Sequence, residues 1–156
     1  MKIVVDSYAW VEVFRGGDKG KTALEVMGHA DELMIPDLVL AELARKFARE
    51  GLNEKEGEEL LDHVVRTSRI AGVGEKTALL AAKCYFELAA IAKEKRLGDP
   101  SLFDAVILAI AREIGGKVLT RDAHFRDFPE TIWLGREERA HYPPASVRVL
   151  ESLRNF

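Results

Sequence analysis

One cysteine in 156 residues removes a set of readings at once. Cys84 has no partner for an internal disulfide, and no Cys-x-x-Cys motif exists, so neither a disulfide scaffold nor a thiolate metal site is available. A reducing cytosol suits such a chain. Cys84 lies in an alanine- and leucine-rich helical stretch, where it is expected as a small buried hydrophobe. Long apolar runs are also lacking. The longest, such as Ala105–Ala111, are far too short to span a bilayer, and Met1-Lys2-Ile3-Val4-Val5-Asp6 enters a strand pattern with no signal-peptide architecture. There is no basic excess: 23 Lys and Arg against 26 Asp and Glu give a net charge of −3. That balance does not advertise nucleic-acid binding. It does not forbid it, because carboxylates gathered at a site would subtract from the total and be neutralised locally by cations. No GxGxxG or P-loop motif occurs, which argues against a dinucleotide or NTP machine. His29, His63, His124 and His141 show no metal-ligand spacing. Asp6-Ser7-Tyr8 lacks the second aspartate of a phosphoaspartyl-transfer site.

What is present is a globular composition, 47% hydrophobic and 31% charged, long enough for one domain with a real core. Lys2–Val5 reads as a fully buried strand, continuous and β-branched. Helices are expected over Ser7–Phe14, closed by Gly16-Gly17, and over Thr22–Ala30. Leu33–Ile35 is a strand stopped by Pro36, and a helix over Asp37–Glu50 ends at Gly51. Asn53 and Glu56 form a capping-box pattern opening a helix to about Thr67. A weak strand over Arg69–Val73 precedes the longest helix, Lys76–Arg96, ended by Gly98. A further helix begins at Pro100-Ser101 and stops at Gly115-Gly116. Lys117–Thr120 and Thr131–Leu134 complete the strands. Strands alternating with helices predict an α/β fold, a central parallel sheet with helices on both faces. The chain reads as a single domain over 1–156, its core about 1–134. Residues 135–156 form a C-terminal extension of unassigned role, with the charge run Arg136-Glu137-Glu138-Arg139 and then His141-Tyr142-Pro143-Pro144.

Four carboxylates interrupt or follow apolar runs: Asp6, Glu42, Asp104 and Asp122. Asp6 and Asp122 fall just past strand ends, where ligands bind in open α/β sheets; a helix or turn cap is the plain alternative for each. Glu42 has Leu38 and Val39 one turn back, which puts it on the buried stripe of a helix, unless it pairs with Arg45 or Lys46. Asp104 leads the stripe Ile107, Leu108 and Ala111, with a first-turn carboxylate favoured by the helix dipole as its alternative. A parallel sheet would gather all four on one rim. Burying unpaired carboxylates is costly, and a shared Mg²⁺ or Mn²⁺, which takes hard oxygen ligands, is the simplest common reason. Such a site suits hydrolysis of phosphodiesters, RNA above all. Without metal the acids would repel one another, and at least one pKa should rise. Arg15, Arg45, Lys46, Arg49, Arg121 and Arg126 lie near these acids and could bind phosphate, with Arg15, Arg45 and Arg121 the leading candidates, or could form a solvated charged face. Tyr8, Trp10 and Phe125 could stack on bases but are expected in the core. Asp99 and Asp127 could join the acids and are expected as loop residues.

Ile3-Val4-Val5-Asp6-Ser7, Pro36-Asp37-Leu38-Val39-Leu40-Ala41-Glu42, Leu102-Phe103-Asp104-Ala105-Val106-Ile107-Leu108-Ala109-Ile110-Ala111 and Val118-Leu119-Thr120-Arg121-Asp122-Ala123-His124-Phe125, in this order, resemble the PIN domain, and within it the VapC-type toxin ribonucleases of VapBC toxin–antitoxin pairs. The resemblance covers the chain to about Leu134. It implies a three-layer Rossmann-like sheet, a homodimer, and Mg²⁺- or Mn²⁺-dependent cleavage of RNA. It also implies an antitoxin that occludes the site, and a cytoplasmic location without membrane contact. By the family's pattern Asp6, Glu42, Asp104 and Asp122 bind metal and activate water, while Ser7 and Thr120 orient the carboxylates. A nuclease of RNA processing or DNA outside any toxin system, or a non-catalytic binding module on the same fold, are the competing readings.

Overall fold

The computed structural model describes residues 1–135. The extension expected from 135 onward, with its charge run and His141, therefore lies almost wholly outside the described residues. Five strands form one parallel sheet: β1 (Lys2–Val5), β2 (Glu32–Pro36), β3 (Arg69–Ala71), β4 (Lys117–Thr120) and β5 (Thr131–Trp133), in the order β3-β2-β1-β4-β5. Six helices join them: α1 (Ser7–Arg15), α2 (Asp18–Gly28), α3 (Asp37–Arg49), α4 (Glu54–Thr67), α5 (Glu75–Lys95) and α6 (Leu102–Glu113). From β1 the chain steps outward to β2 and β3, then crosses back to β4 and β5. With right-handed crossovers this puts α1–α4 on one face and α5–α6 on the other. The packing agrees: α1 touches α2 and α3, α3 touches α4, and α5 and α6 pack together, with α6 lying against β1, β2 and β4. The order reverses between β1 and β4, so the crevice beyond their carboxyl ends is the topological switch point of the sheet.

β1 is central, and Ile3, Val4 and Val5 are fully buried, as a continuous β-branched run covered on both faces requires. α6 is apolar nearly all round and buried from Ala105 to Ala111. Cys84 is buried in the α5–α6 contact region, and burial pushes its thiol pKa up, so it is inert packing.

Three expectations shift. α2 begins at Asp18, four residues before the expected Thr22, because Gly20 is a packing residue and not a breaker: a Cβ there would run into the Glu12 carbonyl of α1. α5 stops at Arg96, which adopts the left-handed conformation (φ 56°), and not at Gly98. The Leu97 and Arg96 amides close the last turn on Ala92 and Lys93, and Arg96 is exposed, so its side chain pays no packing cost. β3 is a three-residue strand and ends at Ala71, not Val73.

Candidate metal centre and active-site cleft

Asp6 leaves β1 and enters α1. Its amide donates to the Leu119 carbonyl of β4 (3.1 Å), which ties the two strand ends together. Its carboxylate takes the Ser7 amide on Oδ1 (2.6 Å) and the Thr120 hydroxyl on Oδ2 (2.7 Å). The Ser7 hydroxyl also reaches Oδ1 at 3.3 Å. Asp6 is therefore the N-cap of α1, as its plain alternative foresaw. A cap is normally wet, however, and Asp6 is only 4% exposed. Burial raises its pKa to about 6, and the nearby Glu42 carboxylate pushes the same way, against the Thr120 and Ser7 hydrogen bonds and Lys46.

Asp122 leaves β4 in the same manner. Its amide donates to Thr120 Oγ1 (3.0 Å), so one hydroxyl accepts from Asp122 and donates to Asp6. Asp104 sits one turn into α6 as the partner of Ser101 in a capping box, with Ser101 N and Oγ donating to its Oδ2 at 2.7 and 2.8 Å. The helix-start alternative is thus realised too. Burial again raises the Asp104 pKa, with Asp122 adding like-charge repulsion. Glu42, on α3, pairs with Lys46 at 3.1 Å. The Lys46 ammonium also donates to Ser7 Oγ (2.7 Å) and lies 4.1 Å from the centre of the Tyr8 ring.

Each acid has a local role, yet the fold brings them together. Asp6, Glu42 and Asp104 line one cleft of about 360 Å³, with Ser101, Phe103 and Arg45 on its walls. Asp104 and Asp122 offer oxygens within 4.8 Å of each other and of a His124 nitrogen. The phenol of Tyr8 registers the whole set: its pKa rises through burial and then through the fields of Asp122, Asp6, Glu42 and Asp104.

His124 was missed by spacing rules, which look for ligand pairs and not for a histidine two residues from an acid. Its Nδ1 lies 2.6 Å from Asp122 Oδ1, and its Nε2 lies 2.7 Å from the Gly98 carbonyl. Both neighbours are acceptors, an arrangement that favours the protonated ring. Burial pulls its pKa down, but the Gly98 carbonyl and Asp122 outweigh that and the net shift is upward. His124 therefore braces Asp122 and links it to the segment before α6. Among the described residues, hydrogen bonds engage Oδ2 of Asp104 and Oδ1 of Asp122, leaving the other oxygen of each for a ligand.

Residues 3–130 match the family model of the PIN domain. The chain belongs to the PIN-domain family. Ribonuclease VapC3 of Pyrobaculum aerophilum is 30% identical over 137 residues, covering 85% of this chain and 98% of that protein. Two solved structures share the fold. VapBC-1 from nontypeable Haemophilus influenzae aligns with a TM-score of 0.64 at 16% identity, covering 86% of this chain and 98% of that one. The Mycobacterium tuberculosis VapC20, a toxin that cleaves the sarcin–ricin loop, aligns at 0.56 and 19% identity, covering 74% and 86%.

Other residues of this PIN domain fall where the sequence only partly anticipated. Ser7 and Thr120 are buried against Asp6. Asp127 is held by Lys95 at 2.8 Å, and Asp99 is an exposed loop residue, so neither lines the cleft. Trp10 and Phe125 are core residues, but Tyr8 is 45% exposed beside the acids, contrary to expectation. Arg15 pairs with Glu50 (2.7 Å) and Arg121 with Glu12 (3.4 Å). Arg126 lies over the Trp133 ring, away from the cleft.

Proposed function

We propose that this PIN domain is a divalent-metal-dependent endoribonuclease and the toxin of a toxin–antitoxin pair. One observation carries the reading: four carboxylates from four elements converge at the sheet's switch point, and two of them have raised pKa values. Buried like charges of this kind lack a sufficient counter-charge. Lys46 and His124 supply part of it, and a divalent cation fits the remainder, because the free donors are all carboxylate oxygens. Similarity to a protein named as a ribonuclease supports RNA as substrate, and the VapBC neighbours support a protein antitoxin as partner.

In this reading Asp6, Glu42, Asp104 and Asp122 hold Mg²⁺ or Mn²⁺. The ion supplies positive charge for phosphoryl oxygens and acidifies water. The chain's own contribution is orientation. Thr120 and Ser7 fix the plane of the Asp6 carboxylate, Ser101 holds Oδ2 of Asp104 and His124 holds Oδ1 of Asp122, which leaves the second oxygen of Asp104 and of Asp122 for the ion. The unit is a single PIN domain that acts in the cytoplasm as a homodimer, with 135–156 as an extension to it.

Asp104→Asn tests the assignment. It keeps the Ser101 amide contact and a cap-compatible side chain but removes a charge from the cleft. The variant should retain the wild-type circular dichroism spectrum and lose Mn²⁺-dependent cleavage of single-stranded RNA by at least about 100-fold. Equal cleavage by both proteins would show that the acids do not form the active site.

A further inference from the structure

Beside the acid cleft lies a second pocket of about 260 Å³, between α1, α3 and the start of the segment after β4. Glu42 and Arg45 line both, so the two are contiguous. The pocket holds five cations, Arg15, Arg45, Lys46, Arg49 and Arg121, against three acids. Those acids are already engaged: Glu50 with Arg15, Glu12 with Arg15 and Arg121, and Glu42 with Lys46. Arg45 and Arg49 are left over, exposed and with no ion pair among the described residues. In a chain of net charge −3, a polar pocket with two unpaired guanidiniums is a local reversal of sign.

From this we infer that Arg45 and Arg49 form a subsite for two successive phosphates of the RNA strand, next to the bond that is cut. The inference rests on the ribonuclease reading above and gives it a direction: the strand runs from the acids, past Glu42, along the outer stripe of α3. Arg45 stands just under one turn beyond Glu42, and Arg49 about one turn further, about 6 Å along the axis. That rise is comparable with the step between neighbouring phosphates in a single strand. Guanidinium forks suit phosphate oxygens in two-pronged contact. The half-exposed Tyr8 ring, held under Lys46, lines the basic pocket beside them. Phosphate contacts of this sort position the strand and carry no base preference.

The test is a salt titration of binding. A fluorescein-labelled single-stranded RNA dodecamer is bound to the Asp104→Asn protein, which leaves it uncut, with and without Arg45→Gln and Arg49→Gln. Losing two phosphate contacts should lower the slope of log K against log salt by about 1.4 and weaken binding about 20-fold at 0.1 M salt. Arg45→Lys with Arg49→Lys, which keeps the charge, should retain most of the slope and reports on any general damage. An unchanged slope and affinity in the double glutamine variant overturns the subsite; cleavage by the wild-type protein in the same buffer then leaves the ribonuclease reading standing. Failure of the wild-type chain both to bind and to cut the dodecamer overturns both.

Discussion

Asp6→Asn should make the metal-free protein more stable and the metal-bound protein less so. In the folded chain the Asp6 pKa is raised from 3.8 to about 6. At about 1.4 kcal/mol per pKa unit, the charged form is disfavoured by about 3 kcal/mol in the absence of metal. Asparagine removes that cost and keeps an oxygen for the Ser7 amide. It disturbs the Thr120 hydroxyl, which now donates to Asp6 and accepts from Asp122; that loss offsets about 1 kcal/mol. A net gain of about 2 kcal/mol corresponds to a rise in Tm of about 4–8 °C for a domain of this size.

The pH dependence has a fixed sign. A carboxyl whose folded pKa is raised binds its proton more tightly in the native state, so its stabilising contribution is full below pH 3.8 and lost as pH climbs through about 6. The difference in Tm between variant and wild type in EDTA should therefore grow between pH 4 and 6 and level off above. Taking the difference cancels other titrating groups. Adding Mn²⁺ at pH 7.5 should reverse the order, because binding at about 100-fold over Kd adds about 2.7 kcal/mol to the wild type alone. Thermal melts by circular dichroism measure all of this. A variant less stable than wild type in EDTA at pH 7.5, or a difference that shrinks as pH rises, would refute the reasoning.

Two further substitutions probe the scaffold around the acids. Thr120→Val keeps shape but strips the hydroxyl shared by Asp6 and Asp122; Mn²⁺ affinity by calorimetry should fall about 10–100-fold, and unchanged affinity would mean that Thr120 does not orient the site. Gly20→Ala forces a Cβ into the Glu12 carbonyl at the α1–α2 crossing and should cost about 1–3 kcal/mol in chemical denaturation, whereas a neutral result would mean that the two helices can separate freely.

The order of strands and helices was legible because each strand is a short apolar run bounded by breakers. The four acids were legible because they break apolar patterns. Legibility failed where one residue type serves two purposes. Gly20 lies before the helix expected at Thr22 and is in fact a spacer inside it, against the Glu12 carbonyl. Arg96 reads as helix interior and takes the left-handed stop, a choice made by the Leu97–Ala92 closure. Tyr8 follows an apolar strand and precedes buried Ala9 and Trp10, yet it faces solvent with its ring under Lys46, 38 residues away in sequence. His124 lies beside Asp122 only because the 3-10 turn Ala123–Phe125 folds it back.

The plain and the functional readings of the acids are not rivals. Asp6, Asp104 and Asp122 each accept hydrogen bonds at the start of a helical segment, two of them directly beyond a strand end. Parallel sheets place strand ends and helix starts on the same rim, and unsatisfied amides at helix starts favour carboxylates. Capping thus holds Asp104 and Asp122 by one oxygen each and leaves the other without a hydrogen bond among the described residues, whereas both oxygens of Asp6 are engaged. The repulsion this creates is not relieved locally: burial and neighbouring charge still raise the pKa values of Asp6 and Asp104. Of the four, Asp6 is the acid that its cap explains least. It is the most buried, it ties β1 to β4, and burial raises its pKa to about 6 although its two oxygens hold Ser7 and Thr120, a cost that a bound cation would relieve.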